Sequence, residues 1–269
     1  MKKLLCFVLV LLMLPLLCAC AERESEAKEY VQYYVMSRYV RQATGDVSVT
    51  EHSYDENWLP MSTESRLNGE FASAVDYVYS EDKTQLTMNY NSAIYEPHST
   101  QQELEFDNQG RLVKATLIEN GAPGAVSEYF YDELGREIKV VSTAPGGYGS
   151  VIERSYDKNG NLIRYTADTG YSVSRQDYTY DTEGRLTSVE YYRNDKLESK
   201  TEYRHEGNVR YGSSCDAAGE VLSTLMEVVD VAGNVLEAEH YNADGSLQSY
   251  SCTVYACADG SISGELPEE

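Results

Sequence analysis

Trp, Phe and Pro are scarce in this chain. Its 269 residues include one Trp, four Phe and six Pro, whereas Tyr occurs 24 times and Gly 19 times. Tyr suits strands that have one face in water, and Gly suits turns, so this balance favours pleated sheet over helix. The composition therefore predicts an all-β protein with many turns.

Positive charge is also scarce. Lys and Arg total 22 against 44 Asp and Glu, which gives a formal net charge of −22 at pH 7. A surface this acidic repels polyanions, because phosphate-binding proteins need clustered Lys and Arg. We therefore exclude nucleic acid as a partner.

Long hydrophobic runs are absent except at the N-terminus. Lys2 and Lys3 precede an apolar run from Leu4 to Ala19 that only Pro15 interrupts. This length and layout are typical of a secretory signal and are short for a membrane-spanning helix.

The end of that run, Leu17-Cys18-Ala19-Cys20, resembles the bacterial lipobox, with Cys18 at its tolerant position. The resemblance implies lipid attachment at Cys20, whereas the alternative is an ordinary cleaved signal. We expect a lipoprotein signal peptide over 1–19, a lipidated tether or short helix over 20–33, and a β-repeat domain over 34–269. The protein is then exported and lipid-anchored to the outer face of the bacterial cell membrane.

Cysteine is too sparse for a disulfide framework. Once Cys20 is acylated, Cys215, Cys252 and Cys257 remain. An odd number cannot pair completely within one chain, and no two have zinc-site spacing. We expect small strand residues with at most one disulfide, whose pairing stays open.

Recognisable catalytic motifs are lacking as well. The four His residues share no spacing, and the sequence has no Gly-x-Ser-x-Gly, phosphate-binding loop or His-Glu-x-x-His. Neighbouring carboxylates are expected by chance among 44 acidic residues. We therefore predict neither enzymatic activity nor a cofactor.

What the sequence does contain is a repeated turn, clearest at residues 178–186. In Asp181-Thr-Glu-Gly184 the Asp carboxylate is placed to accept a backbone N–H, and Gly184 takes a positive φ. This predicts a three-residue hairpin loop with a bulge, in which Tyr180 faces Leu186 across the strands and Asp181 faces Arg185.

Copies of this turn recur along the chain at regular intervals. The clearest glycines, 110, 135, 160 and 184, lie 25, 25 and 24 residues apart, with looser turns halfway between them. About nineteen strands counted from residue 35 follow from this spacing. The predicted structural turn residues are Asp107, Gly110, Asp132, Gly135, Asp157, Gly160, Asp181, Gly184, Asp216, Gly219, Asp230, Gly233, Gly245 and Gly260.

The Tyr-Asp turns resemble the YD-repeat family of bacterial Rhs and wall-associated proteins and animal teneurins. The resemblance covers residues 35–262 and is strong from 106 to 247. It implies an antiparallel hairpin strip that spirals into a shell. Because this chain is much shorter and several copies are degenerate, we expect an antiparallel meander forming one long, twisted and curved open sheet or partial spiral.

The repeated turn Asp residues also raise the question of calcium. Each Asp already has a role in its turn, and the dense Asp-x-Asp-x-Asp alternation of calcium loops is missing. We expect no bound cofactor, with calcium as the alternative.

Tyrosine is the remaining candidate for function. Exposed rings suit stacking on sugars or contacts with proteins, although the same rings can cover each other along the sheet. The sequence predicts a membrane-anchored binding, adhesion or spacer protein with a glycan or protein ligand; the alternative is a carboxylate-based hydrolase acting on a wall or extracellular glycan. Candidate rings are Tyr90, Tyr95, Tyr129, Tyr148, Tyr171, Tyr191, Tyr192 and Tyr211.

Function is also expected where copies of the turn deviate from the pattern. These places are Trp58, the segment from Ala93 to Thr100, and the shortened turn at His205-Glu206-Gly207.

Overall fold

A computed structural model describes residues 33–56, 58–119, 121–230, 232–257 and 261–267. The predictions for Cys20, the signal and most of the tether fall outside these residues, as does Gly260. Nineteen strands follow one another, each pairing antiparallel with its neighbours. They are β1 Tyr33–Gln42, β2 Val47–Tyr54, β3 Pro60–Leu67, β4 Glu70–Tyr79, β5 Gln85–Ser92, β6 His98–Phe106, β7 Leu112–Glu119, β8 Ala122–Tyr131, β9 Glu137–Thr143, β10 Gly149–Tyr156, β11 Leu162–Asp168, β12 Val173–Tyr180, β13 Leu186–Arg193, β14 Lys196–Glu206, β15 Val209–Asp216, β16 Val221–Val229, β17 Val235–Asn242, β18 Leu247–Cys257 and β19 Ile262–Ser263.

The sheet closes on itself. Strand β1 pairs with β2 on one side and with β18 on the other, through nine residue pairs that include Arg38 with Thr253 and Val40 with Ser251. β1 to β18 therefore form a closed antiparallel barrel of eighteen strands in meander order, and the short β19 pairs with the end of β18.

The predicted open sheet or partial spiral is wrong. A strip leaves the outer edges of its first and last strands unpaired, and such edges attract other chains. Here the two long end strands satisfy each other's backbone groups, which removes that liability. The same pairing shows that the Rhs-like strip of hairpin repeats, which the YD resemblance implies, is also wrong.

The hairpins form for the reasons visible in the sequence. At the turn between β12 and β13, the Asp181 N–H donates to the Arg185 carbonyl and the Gly184 N–H donates to the Asp181 carbonyl. Gly184 has a φ of 80°, and Tyr180 pairs with Leu186 across a bulge.

The meander places its turns at two ends of the barrel. Connections after even-numbered strands lie at the end where β1 begins, which we call the near rim. Connections after odd-numbered strands lie at the opposite end, the far rim. Most Tyr-Asp turns belong to the near rim, and the chain enters the barrel there.

The two faces of the barrel wall differ in burial. On β14, Thr201, Tyr203 and His205 are partly buried whereas Glu202 and Arg204, which alternate with them, are exposed. The register carries the buried set around the whole barrel, through Leu86, Leu104, Ala115, Tyr129 and Val140. Side chains converge on the concave side of a closed sheet, so we assign the buried set to the inner face and the charged set to the outer face.

Candidate functional site

The predicted turn residues hold the rims together. Asp132 accepts hydrogen bonds from the backbone N–H of Leu134 (3.0 Å) and of Arg136 (2.9 Å), and from Arg136 Nε (2.7 Å). Asp107, Asp157, Asp181, Asp216 and Asp230 each accept the same two backbone bonds. The turn glycines 110, 135, 160, 184, 219, 233 and 245 all have positive φ. Every described carboxylate of this set is thus engaged within its own turn.

Adjacent near-rim turns are also connected to each other. The hydroxyl of Tyr131 donates to the Leu112 carbonyl (2.7 Å), and that of Tyr156 donates to the Glu137 carbonyl (3.1 Å). The Arg136 guanidinium lies 4.5 Å from the centre of the Tyr156 ring. In these copies the preceding turn holds the Tyr of the next one, which gives the repeated Tyr and Arg a structural role.

Two deviating copies have structural roles. His205 Nε2 lies 2.7 Å from the Leu186 carbonyl oxygen, so the imidazole makes the contact that Tyr makes in other copies. Trp58 stacks on Tyr34, with ring centres 4.5 Å apart at 13°, and packs beside Tyr54. Neither residue opens a binding site.

The third deviating segment lies on the far rim and is exposed. Ile94 is 78% and Tyr95 is 67% exposed. Further around the same rim, Tyr148 and Tyr171 are 63% and 80% exposed, with near-parallel rings whose centres are 6.3 Å apart. The far rim thus presents aromatic rings to solvent at the end opposite to the chain's entry.

A shallow concavity lies on the outer wall across β14 to β17. We call it the outer hollow; its volume is about 640 Å³, and it is open to solvent. Seven lining residues have side chains on the outer face, while the other three alternate with them along the strands. The outer-face residues are Glu202, Arg204, Tyr211, Ser213, Thr224, Met226 and Tyr241.

The register explains the shape of the outer hollow. Tyr211 pairs with Met226, and Ser213 with Thr224, which in turn pairs with Tyr241. Tyr211 and Tyr241 are therefore placed diagonally, two strands or roughly 10 Å apart, with Thr224 and Met226 on the strand between them and Ser213 beside Tyr211. A shallow groove of this kind accepts a flat or ring-shaped ligand on its faces.

Neighbouring charges hold the rings of the outer hollow in place. The Arg204 guanidinium lies 4.7 Å from the centre of the Tyr211 ring. Tyr241 donates a hydrogen bond to Glu239, and this bond raises the pKa of the Tyr241 hydroxyl. Because contacts with Arg204 and Glu239 already position the two rings, little conformational entropy is lost when a ligand binds.

The structure divides the predicted tyrosines among different surfaces. Tyr90, Tyr129 and Tyr191 lie on the inner face, and Tyr192 lies on the outer face beneath Arg175 at 4.0 Å. Tyr95, Tyr148 and Tyr171 lie on the far rim, and Tyr211 lies in the outer hollow.

Tyr241 and Met226 belong to the outer hollow but are not among the residues predicted from the sequence. Alternation along each strand places them on the same face as Tyr211, which is a signal available in the sequence. Their adjacency depends on the register between β15, β16 and β17, which bulges shift by one residue.

Metal-ligating side chains do not cluster in the described part of the chain. No group of three or more His, Cys, Asp or Glu residues there is placed to hold a metal ion. Cys215 and Cys252 are free thiols, and burial raises the pKa of Cys252. Within the same residues no helix is long and apolar enough to cross a membrane.

Comparisons with known proteins identify no family. No family model matches the chain, and no curated protein does. Among solved structures, a porin-like protein from Bacteroides uniformis ATCC 8492 is 12% identical, with a TM-score of 0.43 over 85% of this chain and 98% of that one.

Proposed function

We propose that this chain is an exported, lipid-anchored, non-enzymatic binding protein whose barrel binds saccharides in the outer hollow. The observation that carries the proposal is the pair of fixed rings, Tyr211 and Tyr241, with the Thr224 hydroxyl on the strand between them and the Ser213 hydroxyl beside Tyr211. Sugars present apolar ring faces and a rim of hydroxyls, which match aromatic walls and a hydroxyl floor.

The charge on the two faces supports a location in water. The outer face carries ion pairs such as Lys114–Glu105 and Lys139–Glu153. Lipid-facing strands need an apolar outer band, because charged side chains cost several kcal/mol at the bilayer centre. A barrel held beside a membrane by a lipid at Cys20, rather than inserted in it, fits this surface.

The contacts in the wall support a binding role over hydrolysis. Outer-face carboxylates such as Glu105, Glu153 and Asp177 are in ion pairs with neighbouring Lys or Arg. A glycosidase needs two carboxyl groups at a set separation beside the sugar, one of them with a raised pKa. The outer hollow contributes Glu202 from its edge, whose pKa is lowered by the hydrogen bond from Lys200.

A glycan array with the detergent-solubilised full chain tests the proposal, followed by calorimetric titration of the glycans that bind. Tyr211→Ala and Tyr241→Ala are each expected to weaken binding at least about tenfold. Tyr192→Ala, an outer-face ring outside the hollow, is the matched control and should bind like the wild type. The proposal is overturned if no glycan on the array binds, or if both hollow variants bind with wild-type affinity.

Cell fractionation tests the anchoring part separately. Cys20→Ser is expected to move the protein from the membrane fraction to the soluble extracytoplasmic fraction, because acyl chains supply the anchor. Retention of this variant at the membrane would show that another segment holds the protein there.

A further inference from the structure

The inner face of the barrel differs sharply from the outer face in charge. Away from the strand ends, the described inner-face residues include four charged side chains, those of Arg38, Arg154, Arg210 and Glu227. Arg210 and Glu227 are paired at 2.6 Å, and Arg154 is paired with Glu137. Nearly all of the wall's charge therefore faces outward.

Apolar residues such as Leu86 and Val140, together with Tyr, Ser, Thr and Gln, take the place of charge on the inner face. Ser and Thr side chains alternate with the rings along the strands, for example Ser127 two residues before Tyr129 and Thr201 two residues before Tyr203. Tyrosines lie on strands spread around the barrel, at positions Tyr77, Tyr90, Tyr129, Tyr165, Tyr178 and Tyr203.

The barrel is too wide for these side chains to fill it. A round barrel of eighteen strands measures roughly 35 Å across at a strand spacing of ~4.8 Å and a tilt of ~40°. Burial agrees with this width: Tyr77, Tyr90 and Tyr165 remain partly exposed, and Arg38 is exposed. No large side chain among the described residues is fully buried. The inner face thus surrounds a solvent-accessible lumen.

We propose that this lumen is a second binding site, for an uncharged, hydroxyl-rich chain such as a neutral polysaccharide. Rings distributed around the wall offer stacking surfaces for successive sugar units, and the hydroxyl and amide groups between them offer hydrogen bonds. A charged polymer would lose its hydration with few opposite charges to replace it. The inference extends the proposed saccharide binding to a second surface and does not need the outer hollow.

Titration with neutral dextran fragments of graded length, and with a carboxylated dextran of matched length, tests the lumen. The full chain is expected to bind the neutral series with an affinity that rises with length and to bind the carboxylated polymer at least about tenfold more weakly. Length-independent binding, or equal affinity for the carboxylated polymer, would overturn the proposal.

Inner-face variants locate the site. Tyr77→Leu and Tyr90→Leu remove a ring but keep an apolar side chain. Their strands, β4 and β5, are several strands away around the barrel from the outer hollow. Each is expected to lower affinity for long neutral dextran at least about tenfold. Val78→Ala, on the outer face of the same strand as Tyr77 and 54% exposed, is the control. Near-UV circular dichroism verifies that each variant is folded.

The two saccharide sites are distinguishable. If folded inner-face variants bind like the wild type while Tyr211→Ala and Tyr241→Ala abolish binding at every length, the lumen proposal is wrong and the outer hollow stands. If the inner-face variants lose long-chain binding and the hollow variants do not, the lumen stands and the outer hollow is wrong.

Discussion

At the scale of single residues, the repeated turn is a self-contained unit. Its Asp carboxylate accepts two backbone N–H groups and, in copies such as Asp132, the guanidinium four residues on. All of these contacts lie within five residues of chain. The sequence could therefore predict the turn from local chemistry, including the pairing of Tyr180 with Leu186.

Replacing Asp132 by Ala is expected to lower the free energy of unfolding by about 1–3 kcal/mol, because two backbone N–H groups lose their acceptor. Urea denaturation measures the change. Glu133→Ala, at the exposed neighbouring turn position, should lie within ~0.5 kcal/mol of the wild type. Equal stability of the two variants would contradict the role of Asp132.

The connection between turns is testable at Tyr156. Tyr156→Phe keeps the ring beneath Arg136 but removes the donor to the Glu137 carbonyl, so we expect a loss of about 1 kcal/mol. Tyr148→Phe is the control, because that ring is 63% exposed on the far rim. Thermal melting compares the two, and an unchanged melting temperature for Tyr156→Phe would show that the bond contributes nothing.

At the scale of elements, the strands could be predicted from the sequence but their closure could not. Turn spacing determines how many strands a meander has, and nineteen are observed. Closure depends on pairs such as Arg38 with Thr253, which no local pattern connects. The outer hollow depends in the same way on bulges in β16 and β17, each of which shifts the facing residues by one.

A cysteine pair tests closure directly. Val40 and Ser251 are Cα partners across the seam, so Val40→Cys with Ser251→Cys is expected to form a disulfide under mild oxidation. Peptide mapping by mass spectrometry identifies the bond. Val40→Cys with Ser142→Cys, on the same face but far from the seam, is the control and should stay reduced. An open sheet would leave both pairs unlinked.

At the scale of the whole molecule, the turn carboxylates make the stability of the protein depend on pH. Hydrogen bonds from the Arg111 backbone lower the pKa of Asp107. For Asp132 burial acts in the opposite direction, but the hydrogen bonds and charge of Arg136 outweigh it and lower the pKa. The pKa values of Asp157 and Asp181 are lowered similarly.

A carboxyl group whose pKa is lower in the folded state adds stability above its unfolded pKa and loses it as the pH falls through its folded pKa. Burial lowers the pKa of His52, so we expect the free energy of unfolding to fall slightly below about pH 6.5 and more steeply below about pH 4. Glu137 has the opposite effect on stability, because burial raises its pKa. The turn Asp residues with lowered pKa values are more numerous, so their effect is larger. Urea denaturation at pH values between 7 and 3 measures the free energy of unfolding. Asp132→Asn should weaken its dependence on pH. A stability that rises on acidification would refute the argument.

The seam between β1 and β18 also determines the order in which the chain can fold. Most strands pair with the strand just before or after them and can form as soon as both exist, whereas β1 must wait for a partner more than 200 residues later. Closing so long a loop is slow. Until then the free edge of β1 is open to pairing with another chain. The extent of aggregation during folding should therefore depend on how quickly β18 pairs with β1.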